Sequence, residues 1–120
     1  MDQTLLPNER WLTEADAGRT VDLRKGDRLS ISLGGNPTTG YSWQVAGVDE
    51  QVLAPLGNPG YTASSEALGA GGVFAFAFEA VAAGQTALRL VYRRPWEKRR
   101  RPAQTFKIDV TVGAAAPADQ

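Results

Sequence analysis

Two residue types are missing from this chain: among its 120 residues there is no cysteine and no histidine. Without cysteine there is no disulfide, no thiolate nucleophile and no cysteine-based metal site. Without histidine the commonest general base and the commonest metal ligand are gone. Ser-His-Asp and Cys-His catalytic arrangements are therefore excluded, and neither a metal nor a cofactor is expected. Nor does any apolar stretch approach the ~20 residues that a membrane-spanning helix needs. The start, Met1-Asp2-Gln3-Thr4-Leu5-Leu6-Pro7, lacks the basic and apolar regions of a signal peptide. A periplasmic or secreted location is the expectation if such a segment was removed. No excess of charge of one sign exists either, since thirteen basic residues balance thirteen acidic ones. The distribution is uneven, however: Arg93, Arg94, Lys98, Arg99, Arg100 and Arg101 crowd one short stretch.

What is present is alternation with a period of two, the signature of half-buried strands. Leu29, Ile31 and Leu33 alternate with serines. Phe74, Phe76 and Phe78 alternate with alanines. Val21 and Leu23, then Tyr41, Trp43 and Val45, then Leu88, Leu90 and Tyr92, and finally Phe106, Ile108, Val110 and Val112 continue the pattern. Lys25-Gly26-Asp27 and Ala83-Gly84-Gln85 read as turns. With weaker strands near Trp11 and near residues 51–56, the count reaches seven or eight. Short strands between glycine-containing turns predict an all-β, immunoglobulin-like antiparallel β-sandwich. The best helix candidate, Thr13-Glu14-Ala15-Asp16, is too short to stand as one. The length suits a single domain, expected to run over residues 11–112. An N-terminal arm, 1–10, would precede it and a disordered tail, 113–120, would follow.

Three loops look like more than connectors. Asn36-Pro37-Thr38-Thr39-Gly40 combines a proline that fixes φ, an asparagine able to bond the backbone two residues on, and a glycine free to take positive φ. It is either a stiff presenting loop or an ordinary tight turn. Gly69-Ala70-Gly71-Gly72 permits close backbone approach. It lacks the spacing and the Lys-Ser/Thr of a phosphate loop, and could equally be a flexible loop end. Arg94-Pro95-Trp96 sets an aromatic and an arginine among charges, as interface anchors are; alternatively Trp96 packs on its own sheet and Arg94 is solvated. Lys98-Arg99-Arg100-Arg101 is a short basic patch in a neutral chain. It fits a solvated hairpin better than a nucleic-acid site.

In this order, the three motifs resemble the signature loops of the chagasin family of cysteine peptidase inhibitors. The frame is similar too: Gly40-Tyr41-Ser42-Trp43 after the first loop, the Phe-rich strand after the second, and Leu90-Val91-Tyr92 before the third. The resemblance covers about Trp11 to Val112, and the run Lys98-Arg99-Arg100-Arg101 departs from the family pattern. It implies reversible, competitive, tight-binding inhibition of papain-like cysteine peptidases by a protein that is not itself an enzyme. It also implies roles for the loops. The first would lie over the catalytic cysteine with Thr38 nearest. The glycine-rich loop would follow the non-primed side of the cleft. Trp96 would meet an aromatic residue on the primed side. The peptidase-binding residues would be Asn36, Pro37, Thr38, Thr39, Gly40, Gly69, Ala70, Gly71, Gly72, Arg94, Pro95 and Trp96. A monomer with no nucleic-acid or membrane partner is expected. The competing reading is a generic immunoglobulin-like adhesion module that uses the same loops for another protein.

Overall fold

The computed structural model describes residues 9–63, 71–97 and 99–114. Nine strands are present among them: β1 (Glu9–Leu12), β2 (Thr20–Arg24), β3 (Arg28–Gly35), β4 (Ser42–Gly47), β5 (Leu53–Pro55), β6 (Gly60–Ala63), β7 (Gly72–Ala80), β8 (Gly84–Arg93) and β9 (Gln104–Gly113). They form two sheets. One runs β1-β3-β7-β5, with β6 also pairing β7; the other runs β2-β9-β8-β4. The sandwich expected from the alternation is there, with two differences. The outer pairings β1 with β3 and β2 with β9 are parallel. An extra strand, β6, lies between the weak strand read near residues 51–56 and the Phe-rich strand.

The two alternating runs of the first sheet lock together. Leu29 pairs with Phe78, Ile31 with Phe76 and Leu33 with Phe74 across the β3–β7 ladder. Cross-strand apolar pairs of this kind are the unit of sheet stabilisation. All six side chains are buried. From the facing sheet come Val21, Leu23, Trp43, Leu88, Leu90, Tyr92, Phe106, Ile108, Val110 and Val112, all in the same core cluster. Complete burial of a leucine, isoleucine or phenylalanine is worth about 1.5–3 kcal/mol each relative to exposure.

Edges and turns follow from local chemistry. Pro55 sits on the edge strand β5, where a missing N–H breaks no ladder bond. Gly26, at φ +98°, makes the β2–β3 turn, which Asp27 closes by accepting the Arg24 N–H at 2.9 Å. Thr13 opens a single 3-10 turn, Glu14–Asp16, through a capping box. Its hydroxyl accepts from the Ala15 N–H at 3.3 Å, and the Asp16 carboxylate accepts from the Thr13 N–H at 3.0 Å. This turn carries Glu14 to the end of β3.

The register fixes which loops share an end. Gly35 closes β3 opposite Gly72, the first residue of β7, and Ala63 closes β6 opposite the same Gly72. In the other sheet Ser42, opening β4, pairs with Arg93, ending β8, and Tyr92 pairs with Gln104, opening β9. The β3–β4 connection joins the two sheets at this point. The chain therefore leaves β3, β6 and β8 at the same end of the sandwich, and enters β4, β7 and β9 there.

Candidate functional site

The first loop is a self-contained knot of hydrogen bonds. Asn36 is extended, at φ −139° and ψ 99°, as the residue before a proline is driven to be. Its side-chain oxygen accepts from the Thr38 N–H at 3.1 Å and from the Thr38 hydroxyl at 2.6 Å. The Thr39 hydroxyl donates to the Asn36 carbonyl at 3.1 Å. Pro37–Thr39 makes one 3-10 turn, closed by the Gly40 N–H donating to the Pro37 carbonyl at 2.9 Å, with Gly40 at φ +88°. Thr38 and Thr39 stay exposed on this rigid turn.

The turn is bolted to the sandwich at its base. The Asn36 N–H donates to the Tyr92 hydroxyl at 2.8 Å, and that hydroxyl lies 3.4 Å from the Asn36 carbonyl. Tyr92 stacks on Tyr41 with ring centroids 5.2 Å apart and meets Trp43 at the same 5.2 Å separation. Trp43 in turn donates its indole N–H to the Gly34 carbonyl at 2.9 Å. Gly34 donates its own N–H to the Glu14 carboxylate. Next to it, a Cβ on Gly35 would stand 2.7 Å from Phe74 Cε1 and 2.9 Å from Tyr92 Cε1, so only glycine fits between the rings.

Tyr92→Phe tests this anchorage. It keeps the ring and deletes the partner of a half-buried N–H. Leaving such a donor unsatisfied costs about 1–3 kcal/mol, and urea unfolding is expected to show a loss in that range. Unchanged stability would mean that the Asn36–Tyr92 bond holds nothing.

The third loop leans on the first. Arg94 donates from Nε to the Thr39 carbonyl at 2.9 Å, lies 4.6 Å over the Tyr41 ring centroid, and pairs with Glu97 at 3.3 Å. It is a strut between loops. Arg93 clamps the loop from below: one of its terminal nitrogens donates to the carbonyls of Glu97 at 2.7 Å and Arg100 at 3.0 Å. Two successive turns result, in which the Glu97 N–H donates to the Arg94 carbonyl at 3.0 Å and the Arg100 N–H to the Glu97 carbonyl at 3.2 Å. Pro95 and Trp96 occupy the apex of the first turn. Trp96 is 69% exposed, yet the edge of its indole lies against Gly40, so closely that a Cβ there would stand inside the ring's van der Waals envelope.

The glycine-rich segment joins this edge through its described half. A Cβ on Gly71 would be 3.1 Å from the Gly35 carbonyl, and one on Gly72 would collide with the Thr62 carbonyl and stand 2.6 Å from the Tyr61 hydroxyl. Gly69 and Ala70 lie outside the described residues. The structure thus brings together Asn36, Pro37, Thr38, Thr39, Gly40, Arg94, Pro95 and Trp96, with Gly71 and Gly72 beside the base of the first loop. Reading the sequence missed three supporting contacts, those of Glu14, Arg93 and Glu97. Glu14 has no signal of its own, because its bond to Gly34 spans two separate elements. Arg93 reads simply as the outward residue of an alternating strand.

The family model described as Chagasin family peptidase inhibitor I42 matches residues 22–110, a span that contains all three loops. The chain belongs to this family. Chagasin of Trypanosoma cruzi is 32% identical over 101 residues, covering 81% of this chain and 92% of that protein. Amoebiasin-1 of Entamoeba histolytica is 36% identical over 106 residues, covering 84% and 97%. Among solved structures, a cysteine protease inhibitor from Entamoeba histolytica superposes with a TM-score of 0.79 at 26% identity, covering 88% of this chain and 96% of that one. The solution structure of amebosin gives a TM-score of 0.71 at 35% identity, covering 89% and 99%. As a chagasin-family chain, it keeps the family's sandwich and a loop end stiffened by its own hydrogen bonds.

Proposed function

We propose that this chain is a reversible, tight-binding, competitive inhibitor of papain-like cysteine peptidases, and that its three-loop edge fills their active-site cleft. The observation that carries this reading is the interlock of the 36–40 turn with the 94–97 turn through Arg94 and the Gly40–Trp96 contact, on a base fixed by Tyr92, within a chain of the chagasin family.

The physical logic is preorganisation. Binding costs free energy for every loop and side chain it orders, and an edge already held rigid avoids most of that cost. Thr38 and Thr39 stand on a turn held by bonds from the Thr38 N–H and from both threonine hydroxyls to Asn36. Such a turn can enter a groove built for an extended peptide. It presents no carbonyl placed for attack, so binding leads to no acylation. The chain needs no catalytic group for this, and it has neither histidine nor cysteine. The adhesion-module alternative is disfavoured by membership of an inhibitor family.

Titration against papain with a fluorogenic peptide substrate tests the reading. The protein should block hydrolysis stoichiometrically and run as one intact band after incubation with excess enzyme. Absence of inhibition at micromolar protein, or inhibition that fades as the chain is cut, would refute it.

A further inference from the structure

The basic stretch that follows Trp96 has no place in the inhibitory edge as described. Residues 94–103 hold five basic side chains and one acidic one, leaving four positive charges on a single loop of a chain that is neutral overall. The rest of the chain has twelve acidic and eight basic residues, a net charge of minus four. Charge of one sign is thus concentrated on this loop, while the other described residues carry nine acidic and eight basic side chains. The one acid of the loop, Glu97, is committed to Arg94 at 3.3 Å. Arg99, Arg100 and Arg101 are exposed and make no ion pair among the described residues. Nor do they hang on a floppy segment. The Arg93 guanidinium bonds the carbonyls of both Glu97 and Arg100. The turn that presents Trp96 and the turn that follows it are thus fixed to the same cation.

We propose that Arg99, Arg100 and Arg101 form a steering surface that selects peptidases whose cleft rim is acidic, raising the rate at which they are captured. The proposal rests on the inhibitory reading and adds the kind of partner. Charges at the edge of an interface act mainly on the association rate, while desolvated anchors act on dissociation. A loop of net charge plus four on a chain of mixed charge elsewhere also orients the molecule in the field of an acidic partner, with that loop leading. A nucleic acid is the poorer fit. The patch is one short loop, and the acidic residues mixed among the basic ones elsewhere leave no extended basic face to track a phosphate backbone.

The test uses active-site-titrated papain in two forms, native and with its lysines succinylated, which makes the same enzyme more acidic. Association and dissociation rates are measured at low and high salt for the parent chain and for the triple variant Arg99→Ser, Arg100→Ser, Arg101→Ser. The parent should capture succinylated papain about tenfold faster relative to the variant at low salt, a change within the range that rim charges produce. That advantage should shrink as salt shortens the screening length to about 8 Å and below. Dissociation should be the same for parent and variant. Equal association rates for parent and variant on the acidic enzyme would overturn the proposal while leaving inhibition intact. So would a tenfold faster dissociation of the variant, which would put these arginines inside the contact. Retention on DNA-cellulose lost by the variant, with its capture of papain unchanged, would assign the patch to nucleic acid instead. Failure of the parent to inhibit either papain would defeat the inhibitory reading itself.

Discussion

Trp96→Ala is expected to weaken inhibition of papain at least tenfold and to leave the unfolding midpoint in urea almost unchanged. The two halves of this result have separate causes. Trp96 is 69% exposed and belongs to no part of the core cluster, so its removal uncovers little and opens no cavity. The edge of its indole lies against Gly40, which has no side chain to lose contact with. On binding, the same ring offers a large rigid surface at the tip of a turn held by Arg93 and Arg94. Truncating a central aromatic anchor of an interface usually costs about 2 kcal/mol or more, and about 1.4 kcal/mol is a factor of ten. The loss should appear in the dissociation rate, because the loop around it is unchanged. Inhibition constants from progress curves, set beside urea unfolding of the same two proteins, decide the matter. A destabilised variant that still inhibits like the parent would make Trp96 a structural residue.

How far the sequence reveals this molecule depends on which physical signal each part leaves. Leu29, Ile31, Leu33 and their partners Phe78, Phe76, Phe74 are legible because each strand has one buried face, and a period of two registers that directly. β6 leaves no such trace. All four of its residues are exposed, and it is held by backbone pairing to β7 with Tyr61 tilted over Phe74 at 4.8 Å. The parallel pairings of β1 and β2 are equally silent, since alternation says which face is buried and nothing about which neighbour a strand chooses.

The site divides in the same way. The turn at residues 36–40 is readable from its own residues: proline, asparagine and glycine dictate its local form. The lock between the loops is tertiary. Nothing in the order of residues says that the Tyr92 hydroxyl will find the Asn36 N–H, 56 positions away. Arg94 is the instructive case. Its neighbours suggest an exposed anchor, but its guanidinium is spent inside the molecule, on Thr39, Tyr41 and Glu97. The loop end of this chagasin-family chain is thus divided between residues that brace, Tyr92, Arg93 and Arg94, and residues that present, Thr38, Thr39 and Trp96. The bracing set explains why short polar loops can hold one shape without disulfides, which a chain lacking cysteine cannot form.

Gly40 links bracing and presentation, and its replacement is expected to damage inhibition about as much as loss of the tryptophan. In Gly40→Ala two effects add. The residue sits at φ +88°, where a side chain is strained by roughly 1–2 kcal/mol. The new methyl would also occupy the space of the Trp96 ring, whose Cζ2 would be 3.2 Å from it and whose Cη2 would be nearer still. The indole is exposed and can swing away, so the collision is relieved by moving the anchor and not by unfolding the sandwich. Stability should therefore fall only by the strain at the turn, while inhibition falls tenfold or more. A double-mutant cycle separates the two causes, because residues in contact fail to add. With Trp96→Ala already in place there is no ring to displace, and adding Gly40→Ala should then cost much less inhibition than it does alone. If Gly40→Ala weakens inhibition by the same factor in both backgrounds, the glycine matters for the shape of its own turn alone. The contact with Trp96 would then be incidental to binding.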